Sequence, residues 1–239
     1  MPCYNSKDTI RQAIDSVYAQ SVPVNLYVID DCSSDGTKSV LAPYLQRENF
    51  FYLRNDENMG VAKSRMRGVA AADTPFIAFL DSDDWWEPEK LSVQLAKMKE
   101  KKAVLSSTGR ELMKADGSST GRIIGIPEQM DLKRILQSNY LNCSAVMVDR
   151  NVMLAYPMEH DDSHEDYISW IRIIRETGPA VGIDAPLLKY RLSQGGKSRN
   201  KFKSALMNYK VYRYCGYGVF RSLLYFLSYA ICGVKKYYL

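Results

Sequence analysis

The stretch Pro75-Phe-Ile-Ala-Phe-Leu-Asp-Ser-Asp-Asp84 decides the fold. The run from Pro75 to Leu80 is apolar and bounded, with the length of a buried strand rather than a helix, and it stops abruptly in carboxylates. Leu26-Tyr-Val-Ile-Asp30 repeats the pattern, running into Asp30-Asp31-Cys32-Ser33-Ser34-Asp35-Gly36. In an open α/β sheet, ligands bind outside the carboxyl ends of the strands, so these two acidic tips are expected to converge on one edge. Carboxylates gathered there repel unless a cation or hydrogen-bond donors neutralise them. Mg²⁺ or Mn²⁺, held by one or two carboxylates plus substrate phosphates, is the economical cation. The blander reading is that Asp and Ser favour turns after strands. That reading weighs evenly for Asp30-Asp31 alone and less for Asp81-Ser82-Asp83-Asp84.

Around these strands the first half alternates apolar runs with amphipathic stretches, the mark of βαβ units and a mostly parallel sheet. Ser6 to Gln20 carries Ile10, Ala13, Ile14 and Val17 at helical spacing, with Ser6 as N-cap. Thr37–Gln46, Gly60–Ala72 and Glu87–Lys99 read as helices, and Phe50–Leu53 as a strand. In the second half, Val104–Thr108, Ser144–Val148 and Pro186–Tyr190 read as strands, Asp166–Glu176 as a helix, and Asp116-Gly117 as a turn. Gly195-Gly196-Lys197 marks a basic loop, and Lys201 onward reads as a helical, aromatic and basic tail. The division expected is a domain over 1–200, with a nucleotide-binding half at 1–105 and an acceptor half at 106–200, followed by a tail at 201–239. A βαβ order that opens on the helix after Asn5 lacks its first strand. The expectation is therefore a start placed too late, and lower stability from an unpaired central ladder.

An apolar fraction of 46% and a charged fraction of 25% exclude disorder and fibrous architectures for the 239 residues. A net charge of +5 suits an anionic ligand or surface, and equally an ordinary basic enzyme. Five scattered cysteines without C-x-x-C spacing offer neither a disulfide framework nor a zinc site, which fits a reducing cytoplasm. No basic region followed by an apolar run opens the chain, so no secretory signal is read. The uncharged stretch Ser222–Val234 is too short to span roughly 30 Å of hydrocarbon. Flanked by Arg213, Arg221, Lys235 and Lys236, it suits a helix lying in a membrane interface or, equally, one resting on the domain.

Taken together, Pro2-Cys-Tyr-Asn5, Val28-Ile-Asp-Asp-Cys-Ser-Ser-Asp-Gly-Thr37, Asn58-Met-Gly60, Phe79-Leu-Asp-Ser-Asp-Asp-Trp85, and Glu89-Lys-Leu with Gln94 resemble family-2 glycosyltransferases of the GT-A fold, bacterial cell-surface polysaccharide type. The likeness covers about the first 100 residues, in the family's order and spacing. It implies an α/β GT-A domain with a Rossmann-like mixed sheet, flanking helices and a C-terminal helical tail. It also implies a metal-dependent, inverting transfer of a sugar from a nucleotide-diphosphate donor, usually a UDP-sugar, to the hydroxyl of a glycan or lipid-linked acceptor. By the resemblance, Pro2 and Tyr4 border the nucleotide base and Asp31 accepts a hydrogen bond from it. Arg65, in Ala62-Lys-Ser-Arg-Met66, lies near the nucleotide, and Met66 stands where many relatives carry Asn. Asp81 faces the ribose or the metal, Asp83 holds the metal, and Asp84 shares either role.

His164-Glu165-Asp166-Tyr167 with Trp170 resembles the family's acidic motif at a helix start, where the Asp is general base. Displacement at an anomeric carbon needs a base within reach of the acceptor hydroxyl and a cation for the departing diphosphate. Asp166 is the choice for base, with Glu165 orienting acceptor or base. In isolation, Glu-Asp at a helix start is explained by the helix dipole. His160-Asp161-Asp162 reads as a solvated acidic loop, and His164 as a solvated or capping residue. Trp85 and Trp86 offer one ring to a sugar or both to the core. Lys197, Arg199 and Lys201 stand where the family carries a loop closing over the diphosphate. A nucleotidyltransferase is the rival enzyme, but Pro2-Cys-Tyr-Asn-Ser-Lys is not a Gly-rich phosphate loop. A non-catalytic nucleotide-sugar-binding module is the rival of another class, and intact Asp81, Asp83 and Asp166 weigh against it.

Overall fold

The computed structural model describes residues 1–192 and 201–238. Three short strands, β1 (Pro2–Cys3), β2 (Leu26–Asp30) and β3 (Phe50–Arg54), pair in parallel in that order. Helices α1 (Ile10–Tyr18) and α2 (Thr37–Leu41) make the connections, and α3 (Val61–Ala71) leads on to the second sheet. A second, mixed sheet holds β4 (Phe76–Ala78), β5 (Trp85–Trp86), β6 (Leu105–Met113), β7 (Ser119–Ile124), β8 (Gln129–Met130), β9 (Met147–Asp149) and β10 (Ala180–Arg191). Its path is β4-β9-β6-β10-β5, with β7 on β6 and β8 on β10. Only β6 and β10 run parallel in it. The flanking helices are α4 (Lys90–Lys101), α5 (Leu132–Gln137), α6 (Arg150–Ala155), α7 (Glu165–Thr177), α8 (Lys201–Tyr214) and α9 (Val219–Tyr238). The expected α/β class, mixed sheet and helical tail are all present.

The first strand is not missing, which corrects the sequence expectation. The Met1 amine donates to Tyr27 O at 2.8 Å, Ile29 N to Met1 O at 2.9 Å, and Asp31 N to Cys3 O at 2.8 Å. Residues 1–3 thus lie in register beside β2. A groove of about 290 Å³ runs between β2 and β4, lined by Leu26, Tyr27, Phe76, Ile77 and Ala78, and among the described residues β4 pairs with β9 alone.

Two apolar cores flank the sheets. One gathers α1, β2, Trp86, Leu91 and Met98; the other gathers α7 with Phe79, Val148, Met153 and Tyr212. The four apolar positions of α1 are all buried, as their spacing requires. Its cap is Thr9 rather than Ser6, because Ser6 N is bound by Thr37 Oγ1 and Ser6 O closes a turn with Thr9 N. Trp86 is a core residue: its Nε1 donates to Ser144 O at 2.7 Å and the Lys90 ammonium sits 4.2 Å from the ring centroid.

Candidate functional site

The tip of β2 is a hydrogen-bonded scaffold. Asp30 is buried and accepts Ser33 N (2.8 Å), Tyr52 Oη (2.7 Å) and Arg54 Nη1 (2.9 Å). Burial opposes its charge, but the bonds from Ser33 and Tyr52 and the Arg54 guanidinium outweigh it and hold the carboxyl below its usual range. Asp35 takes Thr37 N and the Lys7 amide, fixing the start of α2 to the loop after β1. Asp31 is buried too. Its Oδ1 accepts Asn55 Nδ2 (2.6 Å) and Met59 N (2.8 Å), and its Oδ2 accepts Gly60 N (2.9 Å). One carboxylate therefore shapes the Asn55–Gly60 loop, and Oδ2, with a single donor, keeps capacity for another. Pro2 lies in β1, and Tyr4 is 51% exposed on the same rim.

The tip after β4 lies alongside. The hydroxyls of Ser6 and Ser82 are 2.8 Å apart, joining the two tips, and Asp81 N donates to Ser144 Oγ. Asp84 is buried: Oδ1 accepts Arg191 N at 2.9 Å, while Oδ2 has no hydrogen-bond partner. Burial first, then the charges of Asp83 and Asp81, push its carboxyl well above the usual range. Among the described residues, no three His, Cys, Asp or Glu side chains are already gathered around one point. Half-buried Asp81 and Asp83 and the orphaned Asp84 Oδ2 fit a hard divalent ion that takes its remaining ligands from a substrate's phosphates.

Arg65 joins this tip to the other half of the molecule. It projects from α3 with a side chain 5% exposed. Its Nη2 reaches Asp81 Oδ1 at 2.6 Å, and its Nη1 reaches Glu165 Oε1 at 3.0 Å. Burial opposes its charge, while Asp81, Cys143, Glu165 and Asp166 raise its pKa further. Both terminal nitrogens of the residue expected near the nucleotide are thus engaged with carboxylates from opposite halves. Glu165 opens α7 and is buried; Asp166 follows it into a cleft of about 570 Å³ whose wall also includes Asp81, Arg65, Cys143 and His164. Burial, then the neighbouring Glu165, raises the Asp166 carboxyl above its ordinary value, moving it toward the range in which a carboxylate is a useful base at neutral pH. Asp81 and Asp166 therefore face one space.

Several contributors gave no sequence signal. Arg191, at the end of β10, is a buried organiser: Nε donates to Asp83 O (2.8 Å), Nη1 to Ala115 O (2.8 Å) and Nη2 to Gln12 Oε1 (2.6 Å), and its guanidinium stands 4.9 Å from the Trp85 ring centroid. Trp85 thus backs the acidic tip from the Arg191 side. Arg110, Arg122 and Tyr190 line the cleft. Arg110 and Arg122 lie within β6 and β7 and Tyr190 near the end of β10, so their place on the cleft needs the strand order to be read. The acidic turn at His160 is held down rather than merely solvated: the His160 ring stacks on Tyr214 at 3.8 Å, Asp162 meets Lys210 at 2.6 Å, and Asp161 accepts Ala62 N at the start of α3. Met66 packs against the α7 core. Lys197, Arg199 and the Lys201 side chain fall outside the described residues.

Residues 1–151 match the family Glycosyl transferase family 2. TuaG of Bacillus subtilis (strain 168), named for a glycosyltransferase role in teichuronic acid biosynthesis, is 35% identical over 89% of this chain and 85% of its own. WfgD of Escherichia coli, a UDP-Glc:alpha-D-GlcNAc-diphosphoundecaprenol beta-1,3-glucosyltransferase, is 30% identical over 99% of this chain and 92% of its own. Among solved structures, S. aureus TarS 1–349 in complex with UDP-GlcNAc matches with a TM-score of 0.75, over 98% of this chain and 71% of that one, at 17% identity. The mannosyltransferase PcManGT from Pyrobaculum calidifontis, in complex with GDP-Man and Mn²⁺, matches with a TM-score of 0.72, over 94% and 68%, at 14% identity. These two likenesses establish the GT-A fold.

Proposed function

The chain belongs to glycosyl transferase family 2, and from that premise we propose that it is a divalent-metal-dependent, inverting transferase that moves a sugar from a nucleoside-diphosphate donor, a UDP-sugar, to an acceptor hydroxyl. The acceptor in this reading is a glycan or lipid-linked saccharide of bacterial surface-polysaccharide assembly, in line with what the names of TuaG and WfgD describe for those proteins. The observation that carries the proposal is the Asp81–Arg65–Glu165 bridge, which brings the acidic tip after β4 and the start of α7 to one cleft.

In that cleft Asp166 accepts the proton of the acceptor hydroxyl. The freed oxygen attacks the anomeric carbon from the face opposite the leaving group, and the bond from that carbon to the diphosphate breaks, so the configuration inverts. A positioned base of this kind contributes about 10²–10⁴-fold in rate. Glu165, fixed by Arg65, sets the direction of the first turn of α7 and so of Asp166. Asp83, with Asp81, would hold Mn²⁺ or Mg²⁺, which when bound neutralises charge on the departing diphosphate. Arg191 fixes the Asp83 backbone for that purpose. Pro2, Tyr4 and Asp31 Oδ2 lie on the rim where a uracil base would sit, and Asp84 backs the metal ligands.

Calorimetric titration with UDP tests the donor side of the reading. Affinity should rise at least about tenfold when Mn²⁺ is added to the wild type, and Asp83→Ala should abolish that gain. UDP binding that ignores Mn²⁺ in the wild type would remove the metal from the account.

A further inference from the structure

Helix α9 is apolar on the wrong side. Its inner face is held to the protein by Ser222, whose hydroxyl donates to Tyr217 O at 3.2 Å, and by Tyr225, Phe226 and Tyr229, which pack against the α7 core. Its outer face shows solvent Val219, Phe220, Leu223, Leu224, Leu227 and Ile231, between 47% and 73% exposed. Those positions fall on one stripe at helical spacing. A contiguous exposed apolar stripe of this kind marks an interaction surface.

The charge around the stripe identifies the partner. From Ala185 to Leu239 the sequence has no Asp or Glu, while it carries eleven Lys and Arg. Arg213 and Arg221, at the near end of the stripe, are exposed. A second copy docking through the same stripe would bring like charges together, and a soluble acidic protein would meet mostly apolar surface. Anionic lipid satisfies both halves: acyl chains take the apolar stripe, and headgroups take the basic residues. Among the described residues no helix is long and apolar enough to cross a membrane, so α9 would lie in the surface plane.

We propose that α9 is an interfacial docking helix for an anionic bilayer, and that it sets the reaction cleft beside the headgroups. Tyr229, on the inner face of the same helix, lines the cleft that holds Asp166. The surface that grips lipid and the wall of the cleft are thus opposite sides of one helix. Resting on the proposed transferase function, this deepens it: the acceptor is a saccharide whose anchor stays in the bilayer and whose hydroxyl is presented at headgroup level.

The test is co-sedimentation with vesicles of phosphatidylcholine alone and of phosphatidylcholine with 30% phosphatidylglycerol. The variants are Leu223→Glu/Leu227→Glu and, separately, Arg213→Gln/Arg221→Gln, each checked for folding by circular dichroism. The wild type should bind the anionic vesicles more than about tenfold better than the neutral ones. The Leu double variant should lose binding to both, and the Arg double variant only the preference for phosphatidylglycerol. No binding of wild type to either vesicle, or equal binding by the Leu double variant, overturns the proposal. So does a concentration-dependent dimer, seen by light scattering, that the Leu double variant abolishes, since the stripe would then belong to a second copy. UDP titration of the same proteins without vesicles separates this outcome from failure of the transferase reading, because neither pair lines the donor rim.

Discussion

Replacing Arg65 with Gln should be among the most damaging single changes in the chain, and the structure says how its cost divides. The guanidinium bridges Asp81 and Glu165, but the two carboxylates are not equally placed: the Asp81 side chain is 34% exposed and the Glu165 side chain 6%. Once Arg65 is neutral, water can solvate Asp81, so that half contributes at most about 1 kcal/mol. Glu165 is far less open to water, and breaking a buried pair by removing one partner costs about 3–5 kcal/mol. For a chain of this size that corresponds to a fall in melting temperature of roughly 6–20 °C. The cost should be relieved by removing the second charge of the pair. Arg65→Gln/Glu165→Gln is therefore expected to be more stable than Arg65→Gln alone, whereas Glu165→Gln in the wild type should destabilise, a change of sign that independent sites do not show. Urea unfolding of the wild type, the two single variants and the double variant gives the coupling directly. If the double variant is less stable than Arg65→Gln, the bridge is not what holds α7 to the acidic tip.

Asp166→Asn should lower turnover about 10²–10⁴-fold while leaving UDP affinity within about twofold, as measured by steady-state kinetics and titration. Its stability effect has a definite sign. Because folding raises the Asp166 pKa, the ionised carboxylate costs stability above that pKa, and the penalty vanishes as pH falls below the unfolded value near about 3.9. Asp166→Asn should therefore melt higher than wild type at pH 7, with the gap closing toward pH 4. Gly182→Ala should destabilise by roughly 3 kcal/mol or more, since a Cβ there would sit 1.9 Å from Pro127 O, a backbone atom that cannot swing away.

What could be read from the sequence follows the strength of local signals. β2, α1, α3 and α7 lie where apolar periodicity put them, within a few residues, because each buries one face against a core. The acidic tips and the α7 start were legible for the same reason: carboxylates that end apolar runs stand out. β7, α5 and α6 were missed. β7 is an edge strand with exposed Ser119, Gly121, Arg122 and Ile123, so it shows no alternation, and the two helices are a turn and a half each, too short for periodicity to register. β10 begins at Ala180, six residues before the expected strand, because its first part pairs with β8 and with β6 across Gly182, where the absence of a side chain left nothing to read. The site's cations were the other blind spot. Arg191 and Arg110 act through β10 lying beside β6, a long-range fact that no local window contains. Arg65 was found, but its pairing with Glu165, 100 residues away, was not.

The most direct test of the central claim is release of nucleoside diphosphate from a panel of UDP-sugars, with and without Mn²⁺, by wild type and Asp83→Ala. Metal-dependent release of UDP from one preferred sugar, lost in Asp83→Ala and with no pyrophosphate formed, is the expected result. A folded protein that binds UDP yet releases none from any donor, or that yields pyrophosphate instead, would contradict it.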